Sequence, residues 1–406
     1  MKSFPLFLTI ALVFYSCSRQ NKSLPETGVL YAQMEIMDNE ILPFNFDLEK
    51  SEGTYKIIVH NAEESVYIDN IEFRDDSITM RMPVYEGYIK GTYTDRKIEG
   101  HFIKESLDRV VPFSAFLGQR PRFTTENTPA VDISGNWETE FSANTEEAYM
   151  AKGTFSQKEQ RVTGTFRTNT GDYRFLEGVI DGDSIRISTF DGAHAFLFVA
   201  RATDSVLDGI FYSGNHFKEP FRAKRSEDFE LPDANKLTFL KEGSRSLSFS
   251  FPDTNGKMVS LSDPEFLDKV VIIQIMGTWC PNCMDETKFL VEYLKNNNLP
   301  DLKIVALAFE YAKTQKTAYE GIERLKKRMG VTYPVLLAQF GSSSKNMANE
   351  KLPMLNHVLS YPTTIFVDKQ GNVRRIHTGF NGPATGSKYE EFKRDFAKEV
   401  AALLSE

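Results

Sequence analysis

Short runs of alternating hydrophobic and polar residues occupy the first half of the chain, from residue 29 to residue 225. Successive side chains of a strand point to opposite faces, so this alternation predicts strands with one buried face. Gly, Asp and Asn separate the runs, and no helical period of any length interrupts them. We therefore predict antiparallel sheets, closed as barrels or packed as sandwiches. Runs of this kind lie at 55–59, 77–82, 162–166 and 184–188.

The same half of the chain contains an internal repeat. Three segments recur in the same order about 108 residues later in the chain. The pairs of segments are 76–80 with 183–187, 98–102 with 207–211, and 112–115 with 220–223. We interpret them as two copies of a β-module of about eight strands each.

Two aromatic features of these modules leave alternatives open. Trp137 follows Gly135 in a Gly-x-Trp triplet, which favours a buried Trp closing a small barrel over a ligand site. Tyr85, Tyr88 and Tyr93 either line a binding face or form cross-strand pairs inside a sheet.

The hydrophobic pattern changes after residue 246. Residues 270–275 are continuously apolar apart from Gln274, which is typical of a strand buried on both faces of a parallel sheet. A helical period follows, and further strands alternate with helices, so we predict an α/β domain. Asn255-Gly256 between apolar residues predicts a hairpin ahead of this strand. The later predicted elements are a strand at 303–309, a helix at 314–329, a strand at 335–338, and helices at 347–358 and 388–404.

The chain is therefore predicted to be multidomain, with two antiparallel all-β modules followed by an α/β domain. The segment 226–245 is polar and contains Pro232, so we predict a linker that few contacts cross. The predicted boundaries are a signal peptide at 1–17, a tether at 18–27, the β-modules at 28–118 and 132–225, the linker at 226–245 and the last domain at 246–406.

The N-terminal segment predicts export. Lys2 precedes an apolar run at 4–15, which is shorter than the helix of about 20 residues that spans a bilayer. The run ends at Ser16-Cys17, which resembles the lipobox of bacterial lipoproteins, in which the cysteine is lipidated. A simple cleaved signal or an uncleaved anchor is the alternative. We expect a lipid anchor at Cys17 and a location in the cell envelope, facing the periplasm.

Composition narrows the class of partner. The chain has 406 residues, a net charge of −8 and 26% charged residues. No basic patch interrupts this balance, so we expect no nucleic-acid partner. The three cysteines are Cys17, Cys280 and Cys283, which leaves none for a structural disulfide once Cys17 is lipidated and the other pair is redox-active.

Cys280 and Cys283 form a Cys-Pro-Asn-Cys motif between the apolar strand and the helix that follows it. Pro281 suits the first position of a helix, so Cys280 is expected at the helix N-terminus, where the helix dipole favours a thiolate. Cys283, one turn later, can close onto Cys280 and release a mixed disulfide. Two inert buried cysteines, or half of a zinc site, are the alternatives. A zinc site would need further Cys or His residues at ligand spacing.

The segments PDTNGKMVSLSD, GTWCPNC and YPTTIFVDKQG occur in this order, and with them the last domain resembles the TlpA/ResA branch of the thioredoxin family. This resemblance implies a thioredoxin-like fold and a thiol–disulfide oxidoreductase that needs no cofactor. It implies that Cys280 attacks, Cys283 resolves, and the pair forms the redox disulfide. By the same resemblance Trp279, Tyr361 and Pro362 bind substrate, and the bond before Pro362 is cis.

Two residues depart from an ordinary thioredoxin. Gln274 stands where thioredoxins carry a buried Asp, and Gln cannot titrate. In the TlpA/ResA branch a Glu at the end of the next strand lies near the cysteines, and Glu310 matches that place. We expect Glu310 to be a third catalytic residue, a buried proton carrier for Cys283; the alternative is a solvated strand end. Glu286 is expected on the helix surface.

The resemblance suggests a reductant of particular protein disulfides that is itself reduced again by a membrane electron donor. The sequence does not decide the direction of electron flow. The competing hypothesis is a scaffolding lipoprotein in which the β-modules bind partners. A peroxidase is not expected, because Gly277 replaces the Thr or Ser that peroxiredoxins need three residues before the reactive cysteine.

Overall fold

The computed structural model describes residues 24–406. The predicted signal peptide, Cys17 and most of the predicted tether lie outside these residues. Two antiparallel β-modules precede an α/β domain with a thioredoxin-like sheet, which confirms the predicted fold class. Among the residues described, no helix is long and apolar enough to cross a membrane.

The first β-module, called module 1, is a nine-stranded antiparallel sheet. Its strands are β1 Gly28–Glu35, β2 Ile41–Ser51, β3 Thr54–Asn61, β4 Glu64–Ile68, β5 Asn70–Arg74, β6 Ser77–Arg81, β7 Tyr88–Tyr93, β8 Lys97–Lys104 and β9 Arg109–Leu117. Each strand pairs with its neighbour in sequence except at β4 and β5, and β1 also pairs with β9. The sheet therefore curls around one apolar core.

The second β-module, called module 2, also has nine strands. They are β10 Gly135–Phe141, β11 Tyr149–Lys158, β12 Arg161–Thr168, β13 Gly171–Asp172, β14 Leu176–Asp181, β15 Ser184–Phe190, β16 Ala195–Ala202, β17 Val206–Ser213 and β18 Phe217–Arg225. The pairing of β11 with β12 closes a ring that begins and ends at β10, so module 2 is a closed barrel. Trp137 is fully buried in it and donates a hydrogen bond to the Ile133 carbonyl at 2.9 Å.

The three recurring segments fall on matching strands of the two modules: β6 and β15, β8 and β17, and β9 and β18. Each module has nine strands rather than about eight. That the two modules are copies of one repeat stays a prediction.

The C-terminal domain is built on a five-stranded mixed sheet. Its elements are β19 Ser250–Pro252, β20 Met258–Ser260, β21 Val270–Met276, α1 Pro281–Asn296, β22 Leu302–Phe309, α2 Gln315–Met329, β23 Val335–Gln339, α3 Lys345–Lys351, β24 Thr363–Val367, β25 Val373–Thr378 and α4 Ser387–Ser405. The order is β23-β22-β21-β24-β25, and β19 and β20 form the predicted hairpin. Every residue of the central strand β21 is buried, as its apolar run predicts. The C-terminal end of this strand leads directly into the cysteine motif.

One helix prediction is wrong. A helix was expected at 347–358, but α3 covers Lys345–Lys351 and ends at Leu352. Pro353 is the physical reason, because the residue before a proline is pushed out of the helical region and proline has no N–H to donate.

The expectation of a linker with few contacts is also wrong. Thr238 is 1% exposed, and Leu240 forms a β-bridge with Leu355. Farther upstream, the Glu230 carboxylate accepts hydrogen bonds from Lys152 at 2.7 Å and Arg167 at 3.0 Å, both in module 2. The segment 226–245 is therefore bonded to both neighbouring domains, to module 2 through Glu230 and to the C-terminal domain through Leu240. Composition alone does not separate such pairing from solvation.

Candidate active site

Cys280 is the N-cap residue of α1, with Pro281 at the first helical position. The Cys280 Sγ accepts a hydrogen bond from the Cys283 N–H at 3.2 Å, and its thiol donates to the Tyr361 carbonyl at 3.3 Å. The two cysteines are free thiols. Cys280 is 6% exposed and Cys283 is fully buried, so of the two residues only Cys280 has any exposed surface.

Burial raises the pKa of the Cys283 thiol, and the neighbouring Cys280 raises it further. A thiol of this kind stays protonated until a base takes its proton, which suits a resolving thiol that must react only after Cys280 has formed a mixed disulfide.

Trp279 and Tyr361 frame the cysteine pair. The indole Nε1 donates to the Phe309 carbonyl at 2.9 Å, and the Trp279 ring meets the Tyr361 ring edge-on at 5.6 Å. The peptide bond between Tyr361 and Pro362 is cis. Three substrate-binding residues expected from the resemblance therefore lie around the thiols.

Glu310 is 3% exposed, so it is not a solvated strand end. Its carboxylate accepts hydrogen bonds from the backbone N–H and the hydroxyl of Thr278, both at 2.7 Å. Burial raises the pKa of Glu310 to about 7, although the Thr278 hydrogen bonds oppose the shift. Among the described residues no hydrogen bond joins Glu310 to either cysteine. It is tied instead to the turn two residues before Cys280.

Glu286 is a site residue that the sequence reasoning misplaced. It was expected on the helix surface, but it is fully buried. Its carboxylate accepts hydrogen bonds from Gln274 Nε2 at 2.8 Å and from the Thr364 hydroxyl. The same Gln274 Nε2 lies 3.3 Å from the Cys283 carbonyl oxygen, so one amide links Glu286 to the resolving cysteine.

The chemistry of Glu286 fits a proton acceptor for Cys283. Burial raises its pKa to about 7, and its charge contributes to the raised pKa of the Cys283 thiol. The sequence contains a signal for the burial of Glu286. Glu286 comes three residues after Cys283, and residues three apart lie on the same face of a helix. Glu286 therefore faces the sheet with Cys283, where Gln274 can reach it.

Module 2 contributes directly to the site. The side-chain amide of Asn282, inside the cysteine motif, donates to the Asp172 carbonyl at 3.2 Å. The hydroxyl of Ser360, which precedes Tyr361, donates to the Thr170 carbonyl at 2.9 Å. The segment from Asn169 to Arg174 (the module-2 loop) thus lies against both sides of the thiols. The module-2 loop can come this close to the Asn282 side chain because position 171 is glycine. An added Cβ at Gly171 would lie 2.0 Å from Asn282 Nδ2.

Arg174 joins all three domains beside α1. It is 4% exposed and forms ion pairs with Glu64 of module 1, Asp191 of module 2 and Asp285 of α1. Burial opposes ionisation of Asp191, but His194 and Arg174 hold its pKa below the usual value. A buried guanidinium needs such partners, because leaving it unpaired would be costly.

Module 1 also reaches the thioredoxin-like domain, through the loop between β6 and β7. Val84 is buried in the apolar core of the thioredoxin-like domain, and its carbonyl accepts a hydrogen bond from Arg324 at 2.6 Å. Tyr85 packs against the same core and against that of module 1. Both β-modules therefore help to cover the cysteine pair.

A zinc site at the cysteines finds no support in the geometry of residues 24–406. No group of three or more His, Cys, Asp or Glu side chains there is arranged to hold a metal ion.

Comparison with known proteins places the similarity in the C-terminal domain. Residues 241–392 match the Redoxin family model. The thiol-disulfide oxidoreductase ResA of Bacillus subtilis (strain 168) is 28% identical over 140 residues, which are 34% of this chain and 69% of ResA. The thioredoxin-like protein YneN of the same strain is 26% identical over 146 residues, 36% of this chain and 76% of YneN. A solved thioredoxin-family thiol:disulfide interchange protein from Chlorobium tepidum TLS is 22% identical with a TM-score of 0.30, and covers 40% of this chain and 96% of its own.

Proposed function

We propose that this chain, whose C-terminal domain is a thioredoxin-like domain of the redoxin type, is a tethered oxidoreductase that reduces disulfide bonds in other proteins of the cell envelope. The similarity to ResA supports the reaction class, thiol–disulfide exchange. The observation that carries the proposal is the pair of free thiols at the start of α1, one slightly exposed and one buried.

The reaction proceeds in two exchanges. The Cys280 thiolate attacks one sulfur of the substrate disulfide, forms a mixed disulfide and releases the first substrate thiolate. Cys283 then gives its proton to a base and attacks the Cys280 sulfur, which releases the second substrate thiolate. Two electrons have passed to the substrate, and the enzyme holds a Cys280–Cys283 disulfide. An external dithiol donor at the membrane has to reduce this disulfide before the next turnover.

Glu286 is the base that the contacts favour for the second exchange. Its hydrogen bond to Gln274, which also reaches the Cys283 carbonyl, holds it on the buried side of the resolving thiol. A pKa of about 7 lets it accept and return a proton near neutral pH. Glu310 is the second candidate, held by Thr278 beside the attacking cysteine.

The reduction potential of the Cys280/Cys283 pair tests the direction of the reaction. A reductant should equilibrate with dithiol buffers near the value for thioredoxin, about −270 mV. A value near that of DsbA, about −120 mV, would overturn the proposal in favour of an oxidant.

The scaffolding hypothesis keeps one observation in its favour. Cys280 is only 6% exposed beneath contacts from both β-modules. If the cysteine pair showed no redox equilibrium with any dithiol buffer, partner binding by the β-modules would be the better explanation.

The tether is a separate part of the proposal and rests on the sequence around Cys17. A chain lipidated there should partition into a detergent phase and incorporate labelled fatty acid, and Cys17→Ser should do neither. A mature N-terminus beyond Cys17, found by mass spectrometry, would overturn it.

A further inference from the structure

A cavity of about 430 Å³ lies between module 2 and the thioredoxin-like domain. Module 2 supplies part of the wall, including Met150, Tyr173 and Phe196. The thioredoxin-like domain supplies Asn282 and Leu359. We call this space the module-2 cavity. Its volume falls within the range of about 300–1,000 Å³ that is usual for ligand pockets.

The module-2 cavity borders the reacting groups. Asn282 is the second residue after Cys280, within the cysteine motif. Leu359 lies two residues before Tyr361, whose carbonyl accepts the hydrogen bond from the Cys280 thiol. A polypeptide whose cysteine is bonded to Cys280 can therefore reach this cavity with its neighbouring residues.

Part of the wall suits an apolar occupant. The aromatic rings of Tyr149, Tyr173 and Phe196, together with Met150 and Leu359, make up five of the thirteen residues that border the cavity. Polar groups border the same space: the side-chain oxygens of Asn169 and Asn282, two lining residues, have no hydrogen-bond partner in the described part of the chain. A peptide brings both a side chain for the apolar wall and backbone N–H donors for such acceptors.

We propose that the module-2 cavity is a specificity pocket that receives a large apolar side chain of the substrate, within two residues of the cysteine that Cys280 attacks. This inference rests on the proposed function, since it assumes a peptide disulfide as substrate. It gives module 2 a part in choosing the substrate, through a pocket that the thioredoxin-like domain cannot form alone.

The test uses the Cys283→Ala form of the full chain, in which a mixed disulfide with Cys280 is trapped. The probes are short polar peptides with one cysteine, activated as a mixed disulfide with thionitrobenzoate. Each peptide carries one test residue, which is Trp, Leu, Ala or Glu. The test residue stands one or two positions before or after the cysteine. The release of thionitrobenzoate gives the second-order rate constant for each peptide.

The expected result is that Trp and Leu peptides react on the order of tenfold faster than the matched Ala peptide, at one position relative to the cysteine. Filling the cavity by Met150→Trp should bring the ratio of the Trp and Ala rate constants close to one. Met258→Trp is the matched control, because Met258 is 54% exposed on β20 and lines no part of the cavity.

Leu359→Trp fills the cavity from the opposite wall, so it gives the same test if Met150→Trp does not fold. Equal rate constants for Trp, Leu and Ala peptides in the parent protein would overturn the inference, as would a Trp preference that survives both filling variants. Neither outcome would contradict the proposed function, because the mixed disulfides still form. Failure of every peptide to react would instead contradict the proposed function.

Discussion

At the residue scale, the two thiols differ because α1 buries one and leaves the other at its end. Cys280 is the N-cap residue and 6% exposed, whereas Cys283 is fully buried in the first turn. The difference in access is enough to separate their roles, and it agrees with the raised pKa of the Cys283 thiol.

We expect Cys280 to be the first thiol that iodoacetamide alkylates in the reduced protein, because Cys283 is both buried and held protonated. Peptide mapping after partial alkylation measures this order. Cys283→Ala should accumulate mixed disulfides through Cys280. If mapping found Cys283 labelled first, the assignment of attacking and resolving thiols would be reversed.

Two buried carboxyl groups compete for the role of proton carrier, and substitution separates them. Glu286→Gln should slow the resolving step by about 10²–10⁴-fold, the usual contribution of a general base. The wild-type rate should rise as the pH passes through about 7, where Glu286 ionises, and the variant should lose this rise. Single-turnover decay of the mixed disulfide measures both effects. Glu310→Gln is the parallel variant, and if it alone removed the pH dependence, Glu310 would be the carrier.

Glu286 also predicts a pH dependence of stability. An unfolded Glu titrates near 4.3, and the folded value is about 7, so the native state holds an extra proton between these limits. The free energy of unfolding should therefore fall as the pH rises from about 4.5 to 7, by about 1–3 kcal/mol from this group.

Urea titrations of wild type and Glu286→Gln at several pH values check this slope. The variant should lose less stability than the wild type over that interval. Glu292→Gln, an exposed position on the same helix, is the control and should keep the wild-type slope. Parallel curves for Glu286→Gln and wild type would contradict a buried, neutral Glu286.

At the scale of elements, α1 is held from two directions. Its buried face packs on the sheet through residues such as Leu290, while Asp285 reaches Arg174 of the module-2 loop. Arg174 in turn pairs with Glu64 on β4 of module 1. One guanidinium thus fixes a helix of the redox domain against strands of both β-modules.

Arg174→Leu should destabilise the full chain by about 3–5 kcal/mol, because it leaves Asp191, Glu64 and Asp285 without their buried partner. Chemical denaturation measures the loss. Arg201→Leu is the matched control, since Arg201 is 72% exposed and pairs with Asp183 on the surface. An exposed pair contributes about 0–1 kcal/mol. Equal effects of the two substitutions would show that Arg174 does not hold the junction.

At the scale of the whole molecule, the domains are coupled rather than independent. The segment 226–245 lies along the thioredoxin-like domain, and Val84 of module 1 is buried in that domain's core. A fragment that begins near Lys241 would expose this apolar surface and leave Asp285 without Arg174. Such a fragment is therefore not expected to behave like the full chain.

The two tryptophans of the chain report on this coupling, since Trp137 lies in module 2 and Trp279 at the thiols. In Trp279→Phe and in Trp137→Phe, the fluorescence of the remaining indole should change at the same urea concentration as the far-ultraviolet circular dichroism. Coincident transitions are the mark of one cooperative unit. A fluorescence transition that separates from the circular dichroism in either variant would show that the domains unfold independently.

Features that depend on neighbouring residues can be predicted from the amino-acid sequence. The apolar run of β21, the Cys-Pro-Asn-Cys turn and the helical period after it specify a buried strand and a helix with Cys280 at its start. Alternation specified the β-strands, because a strand buries every second side chain. Gly330 marked the end of α2, where the backbone adopts a left-handed φ of 69°.

The partners of the buried polar residues follow from the packing of the three domains. Asp172 and Asn282 are 110 positions apart, and Arg174 finds its partners in three domains. Charged and polar residues are usually solvated, so the sequence predicts Glu286 on the helix surface and a linker with few contacts at 226–245. Their burial is offset by hydrogen bonds and ion pairs to groups remote in sequence, and no local pattern encodes such partners. The two cysteines can be recognised from their motif in the sequence. The burial of Cys280 by neighbouring domains is a property of the folded chain.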